Sequence, residues 1–211
     1  MAEIGLATLL HIDCMTYMST LPDKAFELAT VDPPYGLNIA KEKPRESGRW
    51  NYTPKQWDAA IPDEQYFAEL KRVSEHQIIW GGNYFSCLGA SRGYCIWDKD
   101  QPVDNFADSE FAWTSFNRVS KTFRYPIINQ NFGQDKKIHP TQKPVKLYEW
   151  LLTNYAKPGQ RILDTHLGSG SSAIACNNLG FEMVGCELDA DYYKAACARV
   201  EQATKQERLF A

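Results

Sequence analysis

The chain has 211 residues, enough to bury one sizeable core and too few for a second full catalytic domain. Hydrophobic residues make up 44% and charged residues 23%, which excludes a disordered tail and a fibrous repeat. Lys and Arg number 23 against 26 Asp and Glu, a net charge of -3, so a polyanion would have to be held by local basic patches. In chain order, the pattern predicts strands at Ala7–Ile12 and Glu27–Val31, a helix over Asp63–Ser74, then strands at Gln77–Trp80, Tyr94–Trp97 and Glu110–Thr114. A helix over Pro144–Ala156, a strand at Arg161–Asp164, a helix over Ser171–Leu179, a strand at Met183–Cys186 and a helix over Ala190–Gln206 complete the series. Strands alternating with helices predict an α/β fold, a mostly parallel sheet with helices on both faces. Two stretches break the rhythm and read as long functional loops: residues 36–62, rich in Lys, Arg, Pro and aromatics, and residues 122–143, rich in Asn, Gln and Lys.

Six cysteines (Cys14, Cys87, Cys95, Cys176, Cys186 and Cys197) form no C-x-x-C pair, so neither a metal site nor a disulfide framework is indicated and reduced, mostly buried thiols are expected. The amino-terminal residues carry Glu3 within their apolar stretch and do not read as a signal peptide. No apolar run approaches the length needed to span a bilayer, and the expected compartment is the cytoplasm.

Residues 161–172, RILDTHLGSGSS, read as a strand ending at Asp164, then Gly168 and Gly170, then a small-residue run that can open a helix. Such a turn lets backbone approach a ligand closely, although by itself it is equally a tight strand-to-helix connection. One strand further on, GCELD places Glu187 where a carboxylate can accept from both hydroxyls of a ribose. About forty residues follow Gly170, too few for the five or so parallel strands of a nucleotide-binding sheet. The remaining strands must come from the first half of the chain, which is a permuted order.

The run ELATVDPPYG sets Asp32, Pro33, Pro34 and Tyr35 at the carboxyl end of an apolar strand, where open α/β sheets build their sites. An exocyclic aromatic amine is a poor nucleophile because its lone pair is delocalised into the ring. Acceptors for its two N–H groups draw it toward a pyramidal, reactive geometry. The Asp32 carboxylate can accept one, and the carbonyl of Pro33, held by two consecutive proline rings, the other. Tyr35 can stack on the base. Deprotonating such an amine before attack is too costly for an ordinary Asp, so Asp32 orients and stabilises charge while proton loss follows transfer.

VDPPYG, followed by HPTQKP (His139 to Pro144), LDTHLGSGSS and GCELDADYY, resembles the S-adenosylmethionine-dependent amino-methyltransferases of DNA, in particular the adenine-N6 enzymes of the permuted beta class. The resemblance spans nearly the whole chain. It implies a single Rossmann-like domain with a seven-stranded sheet containing one antiparallel strand, a lid loop at about 36–62 and a target-recognition loop at about 122–143. Gly168 and Gly170 would flank the methionine part of the cofactor, with Asp32, Asp164, His166 and Ser169 beside them. Glu187 and Leu188 would lie at the ribose, Asp13 and Cys14 at the adenine, and Thr141 and Lys143 near the carboxylate. The family's glycine motif has Phe where this chain has His166, so the imidazole either takes the vacant ring position or is a solvated loop histidine.

A base inside a duplex cannot present its amine to Asp32 and must be flipped out or unpaired. Lys41, Lys43, Arg45, Arg49 and Lys55, interleaved with Trp50, Tyr52 and Trp57, suit phosphates and exposed bases. Arg118, Lys121, Arg124, Lys136 and Lys137 flank a second loop whose Asn129, Gln130, Asn131 and Gln134 can read base edges. DNA is the expected partner, with a homodimer or a partner subunit for recognition. The residues leave cytosine N4 open as an alternative target, and a catalytically silent DNA-binding subunit as an alternative role.

Overall fold

Apolar runs that alternate between two faces build the centre of this fold. In the strand Phe26–Val31, Leu28 packs into one apolar cluster while Ala29 and Val31 pack into another, all at most 1% exposed. The computed structural model describes residues 1–37, 58–101, 107–126 and 137–207. The element order is β1 Ala2–Ile4, β2 Ala7–His11, α1 Cys14–Met18, β3 Phe26–Val31, α2 Glu64–Val73, β4 Ser74–Trp80, β5 Tyr94–Asp98, β6 Ser109–Thr114 and β7 Lys121–Arg124. It continues with α3 Val145–Tyr155, β8 Ile162–Asp164, α4 Ser171–Leu179, β9 Met183–Glu187 and α5 Ala190–Glu207.

Among the described residues the sheet has nine strands in the order β1-β2-β9-β8-β3-β4-β6-β5-β7, with β2, β9, β8, β3 and β4 parallel and β6 antiparallel to both neighbours. The expected count of seven is therefore corrected to nine. The run from β2 to β5 is seven strands with one antiparallel member, and β1 and β7 extend its two edges. Both were missed for the same reason: β1 is three residues long and β7 is mostly exposed, so neither shows a buried period. Lys121–Arg124 thus overturns the reading of 122–143 as loop from its first residue. The last two strands, β8 and β9, lie between β2 and β3.

Helices cover both faces. Tyr66, Phe67, Leu70 and Val73 of α2 join Met18 of α1 on one side, and α3, α4 and α5 bury Leu147, Leu151, Ala173, Ala175, Ala196 and Val200 on the other. Burial of this apolar area is the main favourable term, at about 25 cal/mol per Å². Asp13 and Asp63 start α1 and α2 by accepting backbone N–H bonds from Thr16 and Tyr66 at 2.8 and 2.9 Å. Three of the six cysteines are buried and three half-buried, all unpaired. None of the described helices is long and apolar enough to cross a membrane.

Candidate active site

Four adjacent parallel strands end at the same edge of the sheet, and the residues just past each end wall one cavity of about 380 Å³. Ile12, Asp13 and Cys14 follow β2, Glu187 and Leu188 close β9, His166, Gly168 and Ser169 follow β8, and Asp32 and Pro34 follow β3. His139, Thr141 and Lys143, from the segment before α3, complete the wall. The tetrapeptide and the glycine loop, more than 130 residues apart in the chain, are therefore joined, because β3 and β8 pair directly (Leu28 opposite Ile162). This is the crevice outside the carboxyl ends where the order of strands reverses, the usual ligand position in open α/β sheets.

The chemistry around Asp32 is more elaborate than the tetrapeptide suggests. Its Oδ1 accepts from the Tyr35 hydroxyl at 2.5 Å, and its Oδ2 from Lys143 Nζ at 2.5 Å. Lys143, 3% exposed, also lies 3.1 Å from Glu110 Oε2, whose other oxygen is 2.7 Å from Lys99 Nζ. Burial pushes the pKa of Asp32 up, and Lys143 only partly offsets this. Burial opposes the charge on Lys143, but Asp32 and Glu110 outweigh it and raise its pKa. For Glu110 burial is likewise overcome, by Lys143 and Lys99, and its pKa falls to about 2. The resemblance set Lys143 beside a cofactor carboxylate; its ammonium is instead on Asp32 and Glu110, although the side chain still lines the cavity. Tyr35 was expected to stack on a base, and one face of its ring is already stacked on Tyr84, centroids 5.1 Å apart, with Gly81 packed against the ring. Asp58 Oδ1 accepts from the backbone N–H groups of Tyr35 and Gly36 at 2.8 and 2.9 Å, pinning the end of the tetrapeptide.

On the glycine loop the two glycines have different work. Gly168 donates its N–H to Glu187 Oε2 at 2.8 Å and lines the cavity. Gly170 does not line it; a Cβ there would meet Val200 Cγ2 at 2.8 Å, so its place against α5 is structural. Asp164 is also corrected: 1% exposed, it accepts from Ser172 Oγ and the His166 N–H and holds the loop from below. Burial pushes its pKa up to about 7. His166 does line the cavity, its Nδ1 2.9 Å from Thr165 Oγ1 and its ring edge-on to Tyr66. Burial lowers its pKa to about 4, so it is neutral at pH 7 and can fill an aromatic position without a charge. Glu187 accepts from Asp189 N–H at 2.9 Å on its other oxygen, leaving lone pairs for further donors. Asp13, as the cap of α1, has Oδ1 on Thr16, and burial pushes the Cys14 thiol up to about 12, a neutral wall.

Arg199 was not foreseen: its buried guanidinium donates to Ser169 O at 2.7 Å and Ser171 Oγ at 3.0 Å, while Ser171 Oγ donates to Lys143 O at 2.7 Å. It stitches the glycine loop to the segment bearing Lys143. An arginine on an amphipathic helix carries no local signal of this. Glu110 and Lys99 were missed because their partners are set by strand pairing, and Asp58 because it lies within the stretch 36–62 read from the sequence as a loop.

The second basic group does not form one patch. Because β6 is antiparallel, Arg118 and Lys121 fall at the amino edge of the sheet, away from the cavity, and Arg118 is bound to Asn154 O at 2.7 Å. Arg124 lies at the carboxyl edge, 2.8 Å from Asp98. Lys137 is close enough to Glu110 and Lys99 to feel both charges, and burial brings its pKa down to about 8. Lys41, Lys43, Arg45, Arg49, Lys55 and Lys136 lie outside the described residues, as do Asn129, Gln130, Asn131 and Gln134.

Residues 96–198 match a family model described as DNA methylase, the N6_N4_Mtase family. The type II methyltransferase M.HinfI of Haemophilus influenzae is 25% identical, the alignment covering 93% of this chain and 69% of that protein. The M1.HpyAVI–SAM complex superposes with a TM-score of 0.64 at 19% identity, covering 92% of this chain and 99% of the other. The cytosine-N4-specific PvuII DNA methyltransferase does so at 0.61 and 12% identity, covering 95% and 92%. These likenesses show the fold, and the family match supports a DNA methyltransferase.

Proposed function

We propose that this chain is an S-adenosylmethionine-dependent DNA methyltransferase that acts on the exocyclic N6 of a flipped-out adenine. The observation that carries the reading is the junction of the Asp32–Tyr35 tetrapeptide with the glycine loop in one cavity. Its volume lies in the range of small-ligand pockets. The wall fits such a cofactor: an acidic acceptor at the tip of β9 for a vicinal diol, a cavity-facing glycine without a Cβ, and neutral Cys14 and His166 beside them. Glu187 would hold the ribose, Asp13 and Cys14 the adenine end, and Gly168, Ser169 and Thr141 the amino-acid end. When bound, the cofactor supplies an electrophilic methyl group.

The remaining work falls to side chains of this chain. Asp32 keeps lone pairs on each oxygen beyond those used by Tyr35 and Lys143, so it can accept an amine N–H while the carbonyl of Pro33 accepts the second. Lys143 opposes the effect of burial and favours the carboxylate form. Burial holds Tyr35 well above the usual phenol range, so it remains a donor to Asp32. Asp32 thus aligns the nitrogen lone pair and receives the surplus proton after transfer.

In the same reading the chain is one cytoplasmic domain of a restriction-modification system, with the basic loops gripping DNA and with recognition completed by a second copy or a partner subunit. The test is incubation with labelled methyl donor and unmethylated genomic DNA, followed by mass identification of the methylated nucleoside. N6-methyl-2′-deoxyadenosine is expected; N4-methyl-2′-deoxycytidine would transfer the same chemistry to the other amine, and no label in either would refute the reading. Asp32→Asn should lower kcat by about 100- to 1,000-fold while cofactor affinity, read by calorimetry, stays within about threefold.

A further inference from the structure

Glu110 lies on β6, whose direction brings its first residues to the cavity edge of the sheet. Lys143, its own side chain almost sealed from water, offers three N–H donors, and Asp32 is one of two carboxylates within its reach. We propose that Glu110 is a positioning residue for methyl transfer: it anchors Lys143 so that Asp32 is held in place and free to change protonation state. This inference rests on the role given to Asp32 above.

If Lys143 were balanced by Asp32 alone, each proton taken by Asp32 would strand a buried ammonium without a counter-charge, a costly state. Glu110 removes that penalty, because Lys143 remains paired whichever form Asp32 adopts. Lys99 in turn grips the far oxygen of Glu110 at 2.7 Å and keeps it from swinging away. Two ammonium and two carboxylate groups form an alternating, neutral row: Lys99, Glu110, Lys143, Asp32. In the reaction, the surplus proton on the newly methylated nitrogen passes to Asp32 and then to water, restoring the carboxylate.

The groups facing the row set the sign of any pH effect. Asp32 faces Lys143 from the segment before α3, Glu110 from β6 and Tyr35 from its own loop, and it acts at longer range on Tyr148 of α3 and Asp164 of β8. Glu110 feels Lys143 and Lys99, and acts on Lys137. The negative charge of Glu110 raises the pKa of both Asp32 and Lys143, so its removal lowers both.

The experiment compares the full-length protein with Glu110→Gln. Expected are a fall in kcat of about 10- to 100-fold, KM for DNA and cofactor within about threefold, and both limbs of the pH–rate profile displaced to lower pH. A carboxyl 13C titration of the ligand-free protein, with Asp32 assigned by its absence in Asp32→Asn, should show a lower Asp32 pKa in the variant. An unmoved Asp32 titration, or an unchanged kcat and profile, overturns the proposal. Should the wild type methylate nothing, the functional reading falls, and the 13C titration alone decides whether Glu110 controls Asp32. If Glu110→Gln does not fold, Glu110→Asp, which keeps the charge but withdraws it by one methylene, replaces it: a smaller fall in kcat is expected, and wild-type behaviour in both readouts overturns the proposal.

Discussion

Gly168 and Gly170 stand two residues apart on the same loop, both at positive φ (51° and 74°), and the structure gives their substitution by alanine opposite consequences. The left-handed conformation costs an alanine about 1–2 kcal/mol at either position. At Gly168 the new methyl would find its nearest neighbours at 3.8 Å, on the His139 ring, which is ordinary contact. At Gly170 it would lie 2.8 Å from Val200 Cγ2 and 3.5 Å from Ala196 Cβ, both on α5. Forcing α5 outward adds roughly 1–3 kcal/mol of overpacking. Gly170→Ala should thus lose about 2–5 kcal/mol, against 1–2 for Gly168→Ala; at about 2–4 °C per kcal/mol for a chain of this size, the two melting points are readily separated. Cofactor affinity should follow the reverse order, since Gly168 lines the cavity and donates to Glu187 whereas Gly170 does neither. Thermal denaturation paired with calorimetric titration of S-adenosylmethionine measures both. Equal melting points, or weaker binding by Gly170→Ala than by Gly168→Ala, would refute the division of labour.

The neutral His166 makes a stability prediction. Its pKa is lowered on folding, from about 6.5 to about 4, so its contribution is present above pH 6.5 and is lost as pH falls through 4. His166→Phe should remove up to about 3 kcal/mol of that acid dependence while retaining the ring contact, as read by urea unfolding at pH 7 and pH 4.5; parallel pH curves for the two proteins would contradict it. Lys143→Met leaves Asp32 and Glu110 without their shared cation and should cost about 3–5 kcal/mol near neutrality. Its deficit should shrink as pH falls and Asp32 takes a proton; a deficit independent of pH would show that the row is not electrostatically coupled. DNA affinity should fall steeply with added salt as phosphate contacts release counterions, and a flat response in a binding titration would remove the basic loops from the account.

Much of the architecture is local in origin and was readable. The seven expected strands and four expected helices all form, with ends shifted by a few residues at most, because their apolar periods and the caps at Asp63 and Gly170 act within a few residues. The two edge strands were not, since β1 is only three residues long and β7 is held by ladder bonds to β5 rather than by buried side chains. Asp32, Gly168 and Glu187 were likewise legible as strand-end residues, each announced by its own apolar run.

What only tertiary structure decided is the company these residues keep. Lys143 reads as one basic residue in a Pro-flanked turn, and nothing near it in the chain says that its ammonium ends between Asp32 and Glu110. That position follows from the antiparallel direction of β6, which carries Glu110 to the cavity edge and sends Arg118 to the opposite one. Strand direction and sheet order arise from pairing between distant segments. Composition and spacing therefore name the groups that can do chemistry, while the long-range pairing selects which charges meet out of water, where their mutual effect is strongest.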